Sequence, residues 1–336
     1  MAVTMQDIAE RLNVCRALVS AVLNEKKGFR VSEKTRKRVL AVAQELSYHK
    51  NMLAASTRTG IVKTLAVITP FSNKRPEMLD GIIEAAMAFG FDIKIFSDNH
   101  VENVISSIIE NRIVYVISLS TDRKKREQTA QLASRNSLKL IFHFESGLLD
   151  FPVLNIDFAC AGALSVEYLA GLGHRRIAVV SGPVNEEMLY KKKYLAAFKQ
   201  GMKQAGLKVP KGFADTTLDF QENVDCLLDL PAGRRPTAIC CISDAIAYYV
   251  FRAAAQRGIA LPEELSLIGF GNFAYSDLAF VPLTTFDEFL TERGRISVEI
   301  LLGKTELKHD ADGYYLLKPK LIVRESAATT GQKRPR

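Results

Sequence analysis

The sequence lacks the marks of exported, membrane-spanning and disulfide-stabilised proteins. No apolar run among its 336 residues approaches the roughly 18 needed to span a membrane. Asp7 lies where a signal peptide would need its apolar stretch. The cysteines are odd in number, scattered, and without a C-x-x-C pair or a histidine at ligand spacing: Cys15, Cys160, Cys226, Cys240 and Cys241. We therefore predict a protein of the reducing cytoplasm, with no zinc site, no cofactor and no membrane partner.

Motifs of the common enzyme classes are also missing. The chain contains no G-x-G-x-x-G after a predicted strand, no phosphate-binding P-loop, no H-E-x-x-H and no G-x-S-x-G. His143 and His174 are isolated, and the segment around His174 is typical of a turn that leads into a strand. We therefore predict that the protein is not an enzyme.

Positive charge is concentrated at the two ends of the chain. Residues 1–60 carry 11 Lys and Arg against 5 Asp and Glu, a net charge of +6, and residues 331–336 add +3. The segment between them, residues 61–330, has a net charge of −1. A small basic head on a neutral body indicates a module that binds a polyanion. A solvated basic surface without a partner would show the same charge distribution.

The head, residues 1–49, predicts three short helices. Thr4, with Asp7 three residues later, is a candidate N-cap of the first helix, and Ser32 is a candidate cap of the third. Asn13 suits the intervening turn, because asparagine tolerates positive φ. The buried stripe of the second helix is predicted to be Leu18, Val19, Val22 and Leu23. Two short helices with a third packed behind them outline a helix-turn-helix.

From Lys63 onward, apolar strands alternate with helices. The predicted strands are 64–69, 91–96, 114–119, 138–144, 176–181, 238–242 and 265–269, and the helices include 78–89, 190–204 and 245–256. This alternation predicts parallel sheets covered on both faces. About 270 residues exceed what one compact sheet usually needs. We therefore predict an α/β body of two parallel-sheet lobes behind the all-α head.

The side of the second helix that faces away from its apolar stripe predicts the DNA-reading surface. It consists of Arg16, Ala17, Ser20 and Ala21. Arg16 is the strong reader because a guanidinium can bond both acceptors of guanine, whereas the two alanines offer only methyl contacts. Side chains of the type that holds phosphates are Thr4, Ser20, Asn24, Ser32 and Thr35. A three-helix scaffold with a partly apolar surface helix would show the same pattern.

These residues resemble a known family. Residues 3–14, 19–20, 22–24 and 31–36 closely resemble the headpiece of the lactose-repressor (LacI/GalR) family of bacterial transcription regulators. Residues 173–178, 236–239, 269–270 and 282–285 fit the effector-binding region of that family, so the resemblance spans nearly the whole chain. It implies a homodimeric repressor that acts on a near-palindromic operator in the bacterial nucleoid. A small ligand held in a body built like periplasmic sugar-binding proteins would control DNA binding.

The resemblance also implies a division of the chain: a headpiece (1–49), a hinge (50–60), an effector-binding and dimerisation body (61–330) and a basic tail (331–336) that we predict to be disordered.

Thr57 matches a leucine that wedges into the central minor-groove step, and threonine is a weak wedge. Lys27 lies in a loop two residues longer than usual. We therefore expect operator binding to depend more on charge contacts with phosphates than on a kink at the centre of the operator DNA. The other hinge residues assigned to DNA binding are Asn51, Leu53 and Ala54.

The cleft residues that the resemblance implies depart from the family pattern. Tyr194 matches an arginine that grips sugar hydroxyls, or Lys193 does if the register slips by one residue. Lys74 and Arg75 replace an aromatic pair. The candidate set is Phe71, Lys74, Arg75, Phe144, Tyr194, Asp244 and Asn272. Lost acids and gained cations favour a sugar acid or sugar phosphate over a neutral sugar. Three alternatives remain: the pocket no longer responds to a ligand, Tyr194 fills the cleft as an aromatic, or the two cations point to solvent.

The alternative function is a cytoplasmic small-molecule binding protein, of the sugar-binding type, with a basic head that has no regulatory role. The concentrated charge of the head and the missing export signal disfavour this alternative. Retention on heparin or random DNA would distinguish the two, because a sugar-binding protein should flow through.

Overall fold

A computed structural model describes residues 3–24, 29, 31–46, 48, 62–70, 76–143, 151–184 and 188–330. The chain divides into two compact units, Met1–Val62 and Lys63–Arg336. The predicted hinge (50–60) and tail (331–336) lie outside the described residues, as do nine candidate site residues: Lys27, Asn51, Leu53, Ala54, Thr57, Phe71, Lys74, Arg75 and Phe144.

The N-terminal unit is helical. Its described helices are α1 (Met5–Leu12), α2 (Arg16–Leu23) and α3 (Glu33–Glu45). Thr4 caps α1 in a reciprocal pair of hydrogen bonds with Asp7, and Asn13 ends the helix in the left-handed region at φ 53°. The Ser32 hydroxyl accepts the Thr35 N–H at 3.1 Å and so caps α3. The predicted caps, the turn and the three-helix outline are therefore confirmed.

The buried face of α2 is displaced from its prediction. Val19 and Val22 are buried as predicted, in a cluster with Ile8 and Val39 from the other two helices. Ala21, predicted to face outward, is only 3% exposed, and Leu23 is half-buried. At 100° per residue, position 21 lies between positions 17 and 18 on the helical wheel. Because both α1 and α3 pack against α2, the covered arc is wide enough to include Ala21, and that prediction is wrong.

The body contains two α/β lobes, as predicted. In lobe 1 the strands are β1 (Thr64–Thr69), β2 (Asp92–Ser97), β3 (Tyr115–Ser118), β4 (Lys139–Phe142), β5 (Val153–Ile156) and β10 (Tyr314–Leu317). They form a parallel sheet in the order β2-β1-β3-β4-β5-β10. Its helices are α4 (Pro76–Ala88), α5 (Val101–Glu110), α6 (Arg123–Arg135) and α11 (Leu290–Leu301).

Lobe 2 repeats this architecture with a different edge. Its strands are β6 (Ile177–Val180), β7 (Ala238–Cys241), β8 (Ser266–Gly271), β9 (Thr284–Asp287) and β11 (Lys320–Ile322). The order is β6-β7-β8-β9-β11, and only the β9–β11 pair is antiparallel in the described sheet. Its helices are α7 (Phe158–Gly171), α8 (Leu189–Gln204), α9 (Phe220–Leu228) and α10 (Asp244–Gln256).

Apolar side chains cover both faces of each sheet. All six residues of β1 and of β8 are buried, as expected for interior strands of a parallel sheet between two helical layers. The chain crosses between the lobes after β5, after β9 and between β10 and β11. Each lobe is therefore discontinuous in sequence. No described helix is both long and apolar enough to cross a membrane.

Candidate DNA-binding surface and ligand cleft

The N-terminal end of α2 presents two of the four predicted DNA-reading residues to solvent. Arg16 and Ala17 are exposed, and Ser20 is half-buried. Burial raises the pKa of Tyr48, and the positive charge of Arg16 opposes that shift, which places the guanidinium near the phenol. Arg16 is thus the cation at the exposed start of α2, where a helix that enters the major groove meets base edges.

The predicted phosphate-binding side chains take part in helix capping. Besides the Thr4 and Ser32 caps, the Ser32 and Thr35 hydroxyls lie 2.8 Å apart. The Asn24 amide, which follows α2, donates to the Ser20 carbonyl at 2.8 Å and to its hydroxyl at 3.2 Å. These bonds fix the helix ends from which the side chains project. Contact of these residues with phosphates stays a prediction.

A cleft of about 800 Å³ lies at the carboxyl ends of both parallel sheets. Lobe 1 contributes Thr121 after β3 and Glu77 at the start of α4, and lobe 2 contributes Ser243 after β7 and Asn272 after β8. Phe289, at the second crossing between the lobes, completes the wall. Open α/β sheets bind their ligands at this edge, and the volume is typical of small-molecule sites.

Tyr194 is a core residue of lobe 2, and its predicted place in the cleft is wrong. It lies on α8 and is only 1% exposed. Its hydroxyl lies 2.6 Å from the Ser165 hydroxyl of α7, and its ring meets Phe270 edge-on. Burial raises the pKa of the Tyr194 hydroxyl well above its ordinary value, so the side chain stays neutral. The position that matches a sugar-binding arginine therefore holds α8 against the sheet.

Asp244 is also buried, so its predicted contact with a ligand is wrong. It begins α10 and is fully enclosed. Its carboxylate accepts hydrogen bonds from the Thr285 hydroxyl (2.6 Å), the Ser276 hydroxyl (2.6 Å) and the Phe273 N–H (2.9 Å). These three donors hold the loop after β8 against β9. Asp244 therefore shapes the cleft from behind, while Ser243 and Ala245 on either side line it.

Asn272 lies in the cleft wall, as predicted. Its backbone is left-handed, at φ 49°. Arg324 donates to its Oδ1 at 2.9 Å, and its Nδ2 donates to Asp287 Oδ2 at 3.3 Å. Because arginine only donates hydrogen bonds, this pairing fixes which end of the amide faces Arg324. The Asn272 amide thereby positions Asp287 in the cleft wall.

A buried ion pair lies where the chain crosses between the lobes. Arg293 of α11 is 1% exposed and pairs with Glu288 at 3.2 Å. The same guanidinium donates to the His143 carbonyl at 3.0 Å and to Asn155 Oδ1 at 3.5 Å. It therefore joins α11 to the ends of β4 and β5 and to the second crossing. Burial and the charge of Arg293 lower the pKa of His143 well below its ordinary value.

Several cleft residues were missed by the sequence reasoning. Glu77, Asp287 and Phe289 line the cleft, but 284–287 was not predicted as a strand. Had β9 been recognised, Asp287 would have stood out as a carboxylate at the carboxyl end of a parallel strand. Among the described residues no group of three or more His, Cys, Asp or Glu is arranged to hold a metal ion.

Two family models match the chain. The model of the lacI family of bacterial regulatory proteins matches residues 4–51. The model of a periplasmic binding protein-like domain matches residues 166–327. The helical unit and the cleft-bearing body therefore correspond to two distinct family signatures.

Relatives extend over the full chain. The HTH-type transcriptional repressor CytR of Escherichia coli (strain K12) is 30% identical, and the match covers 97% of this chain and 96% of that protein. The HTH-type transcriptional regulator DegA of Bacillus subtilis (strain 168) is 29% identical, with 98% and 99% covered.

A solved structure supports the fold. The crystal structure of the lac repressor dimer bound to operator and the anti-inducer ONPF matches with a TM-score of 0.76. The two sequences are 21% identical, and the match covers 98% of this chain and 100% of that one. The family resemblance and the fold class are confirmed, and the regulatory prediction stands over its alternative. The chain belongs to the LacI family and is a DNA-binding transcriptional regulator.

Proposed function

We propose that this protein binds a near-palindromic operator as a homodimer, with α2 of each protomer in the major groove, and that a small ligand in the cleft changes its affinity for the operator. The headpiece (1–49), hinge (50–60) and body (61–330) would then be the DNA-reading, coupling and sensing parts. The observation that carries the proposal is the exposed Arg16 at the start of α2.

Specific DNA recognition is supported by the chemistry of the exposed end of α2. Arg16 can bond the two acceptors of a guanine, and Ala17 can contact a thymine methyl. Thr4, Ser20, Asn24, Ser32 and Thr35 would fix the register through phosphates, together with the charges of Lys27 and the hinge residues.

Dimerisation is supported by apolar side chains that the body exposes. In the loop after β8, Tyr275, Leu278 and Phe280 are 71%, 75% and 103% exposed. In lobe 1, β2 is an edge strand whose Ile95 is 45% exposed. Large apolar residues grouped in this way mark protein–protein interfaces more often than free surface. A second copy of the chain, related by a twofold axis, would cover the same surface on both protomers.

Control by a small ligand is supported by the position of the cleft. Its walls come from both lobes, so a ligand that contacts both walls would favour closure. A sugar, sugar acid or sugar phosphate is the class that the sequence predicts. We further propose a non-catalytic role, and action in the cytoplasm, where an operator is accessible.

Operator selection from random double-stranded DNA with the full chain tests this proposal. We expect a near-palindromic site whose half-sites lie about 10 base pairs or a multiple apart. Affinity for the selected site should fall steeply with salt, because phosphate contacts release counterions. Enrichment of no sequence, or of an asymmetric site bound by one protomer, would contradict the proposal.

A further inference from the structure

The described wall of the cleft is negatively charged. It carries three carboxylates, Glu77, Asp287 and Glu292, whereas no Lys, Arg or His is among the described lining residues. The cavity also has aromatic side chains, including Phe273 and Phe289. It thus combines acceptors for a cation or a strong hydrogen-bond donor with flat apolar surface for a ring.

The three carboxylates differ in how much of their charge is already compensated. Glu292 forms an ion pair with Arg295 on the same helix. From the described residues, Asp287 accepts neutral donors alone, the Phe289 N–H at 2.7 Å and the Asn272 amide at 3.3 Å. The half-buried Glu77 forms no hydrogen bond or ion pair with a described residue. Among the described residues neither Asp287 nor Glu77 is paired with a cation, and the two line the cleft from lobe 2 and lobe 1.

Asp287 is held in position to use that charge. Arg324 is anchored by the Leu283 carbonyl at 2.8 Å and orients Asn272, whose amide donates to Asp287 Oδ2. The Phe289 N–H fixes Oδ1. Each carboxylate oxygen can accept more than one hydrogen bond, so both oxygens retain capacity for a ligand donor.

The guanidinium that the family resemblance places in the cleft is missing from this wall. Its matching position is Tyr194, which is buried in lobe 2. We propose that the cleft selects a small ring compound with a protonated amine, such as an amino sugar, the ammonium facing Asp287 and Glu77. This inference rests on the proposed function, and it opposes the anionic effector predicted from Lys74 and Arg75. A charge-assisted bond to the carboxylate and contact with the aromatic faces would both favour the amine.

Matched ligands that share a ring and differ in charge test the proposal. Thermal shifts of the full chain are measured with glucosamine, glucose, glucuronate and glucose 6-phosphate, and with the galactose counterparts of the same four classes. We expect an amine to raise the melting temperature. The neutral and acidic ligands that share its ring should bind with an apparent Kd at least tenfold higher. An equal response to the neutral sugar, a stronger response to an acid or phosphate, or no response to any amine would overturn it.

Carboxylate-to-amide variants locate the interaction. Asp287→Asn and Glu77→Gln should each weaken amine binding at least tenfold. Glu292→Gln is the matched control, a cleft carboxylate already paired with Arg295, and should leave binding within about twofold. Equal losses in all three variants would contradict a specific role for Asp287 and Glu77.

Operator binding is measured on the same preparations, so that the two proposals fail separately. An acidic ligand that binds and changes operator affinity would overturn the inference and leave the proposed function intact. A chain that selects no operator would overturn the proposed function, whatever ligand it binds.

Discussion

We expect Arg16 to carry most of the base selection that α2 can provide, because the exposed Ala17 and the half-buried Ser20 have short side chains. Arg16→Ala should cost about 1–3 kcal/mol on the selected operator and relax preference at one base pair per half-site. Lys27→Ala is the comparison variant. It should weaken all sequences alike and reduce the salt dependence, as expected for a phosphate contact. Competition binding against single-base operator variants measures both effects. An unchanged base preference in Arg16→Ala would show that another residue reads the operator.

Tyr194 contributes to stability rather than to ligand binding. Tyr194→Phe keeps the ring that packs on Phe270 and removes the hydroxyl bonded to Ser165. The free energy of unfolding should fall by about 1 kcal/mol, the usual net value of a buried hydrogen bond. Urea unfolding measures this change, and operator affinity should be unaltered with and without a cleft ligand. If the variant has wild-type stability but its operator affinity no longer responds to ligand, Tyr194 would be a ligand-binding residue after all.

The residue predictions succeeded where the partner is close in sequence. Thr4 and Ser32 were recognised as caps because the groups they bond lie three residues away. Tyr194 and Asp244 were misplaced because their partners Ser165 and Thr285 lie 29 and 41 residues away. A tyrosine or an aspartate at such a position fits a ligand contact and a core contact equally well until the strands are paired.

At the scale of elements, α7 and α8 pack so closely that a glycine is required between them. A Cβ at Gly162 would overlap the Tyr194 carbonyl oxygen of α8. Gly162→Ala should therefore destabilise lobe 2 by about 1–3 kcal/mol, the usual cost of overpacking. Gly171→Ala in the same helix is the control, since its Cβ would meet nothing within 4 Å. Denaturant unfolding of both variants measures the difference. Equal free energies of unfolding would mean that α7 and α8 can move apart without cost.

Buried histidines should make the body less stable in mild acid. Burial lowers the pKa of His174, whose ring bonds Thr237 and the Ala328 carbonyl and so ties β6 to the C-terminal segment. Between that lowered value and the unfolded value of about 6.5, the unfolded chain binds more protons than the folded chain. The free energy of unfolding must therefore decrease as the pH falls through this window.

Thermal melts at several pH values between about 7.5 and 5.5 measure this decrease. His174→Asn, which cannot gain a proton, should lose less stability over the same range than the unaltered chain. Identical pH slopes for the two proteins would mean that His174 is protonated without cost in the folded body.

The elements themselves were predictable where their apolar runs are long. Strand β1 was predicted with its observed bounds, since all of its residues are buried between two helical layers. Strands β5, β9, β10 and β11 have three or four residues each. Polar residues interrupt β5, β9 and β11, so no continuous apolar run distinguishes them from loops. All three crossings between the lobes begin at one of these strands. The discontinuous lobes could not be derived from the sequence because they depend on long-range strand pairing.

For the whole molecule, we expect these crossings to connect ligand binding to movement of the lobes. Arg293 bonds three of the segments that meet there, and Lys193 of α8 lies 4.9 Å from the Tyr314 ring of β10, across the two lobes. A ligand that closes the cleft would move the two lobes relative to each other, and these contacts lie between the parts that move. Its effect on operator affinity has to be reciprocal, since coupling between two binding sites acts equally in both directions.

Dimerisation determines whether two headpieces can act on one operator. Phe280→Asp places a charge where a fully exposed aromatic is expected to enter the twofold interface. We expect sedimentation velocity at micromolar concentration to give a monomer. Operator affinity should fall by about 10²–10⁴-fold, because the second half-site no longer benefits from the high local concentration of a linked headpiece. Binding to an isolated half-site should stay the same, since the headpiece is unaltered.

Val323→Asp is the control for this variant. Val323 is 58% exposed but lies outside the loop after β8, so its substitution should leave both the dimer and operator affinity unchanged. Because dimers and operator complexes form together, the monomer should reassemble on operator DNA at high protein concentration, with affinity that depends on that concentration. If Phe280→Asp remains dimeric, the dimer interface lies elsewhere, and the exposed edge strand β2 is the next candidate. A monomer with full operator affinity would contradict the two-headpiece mechanism itself.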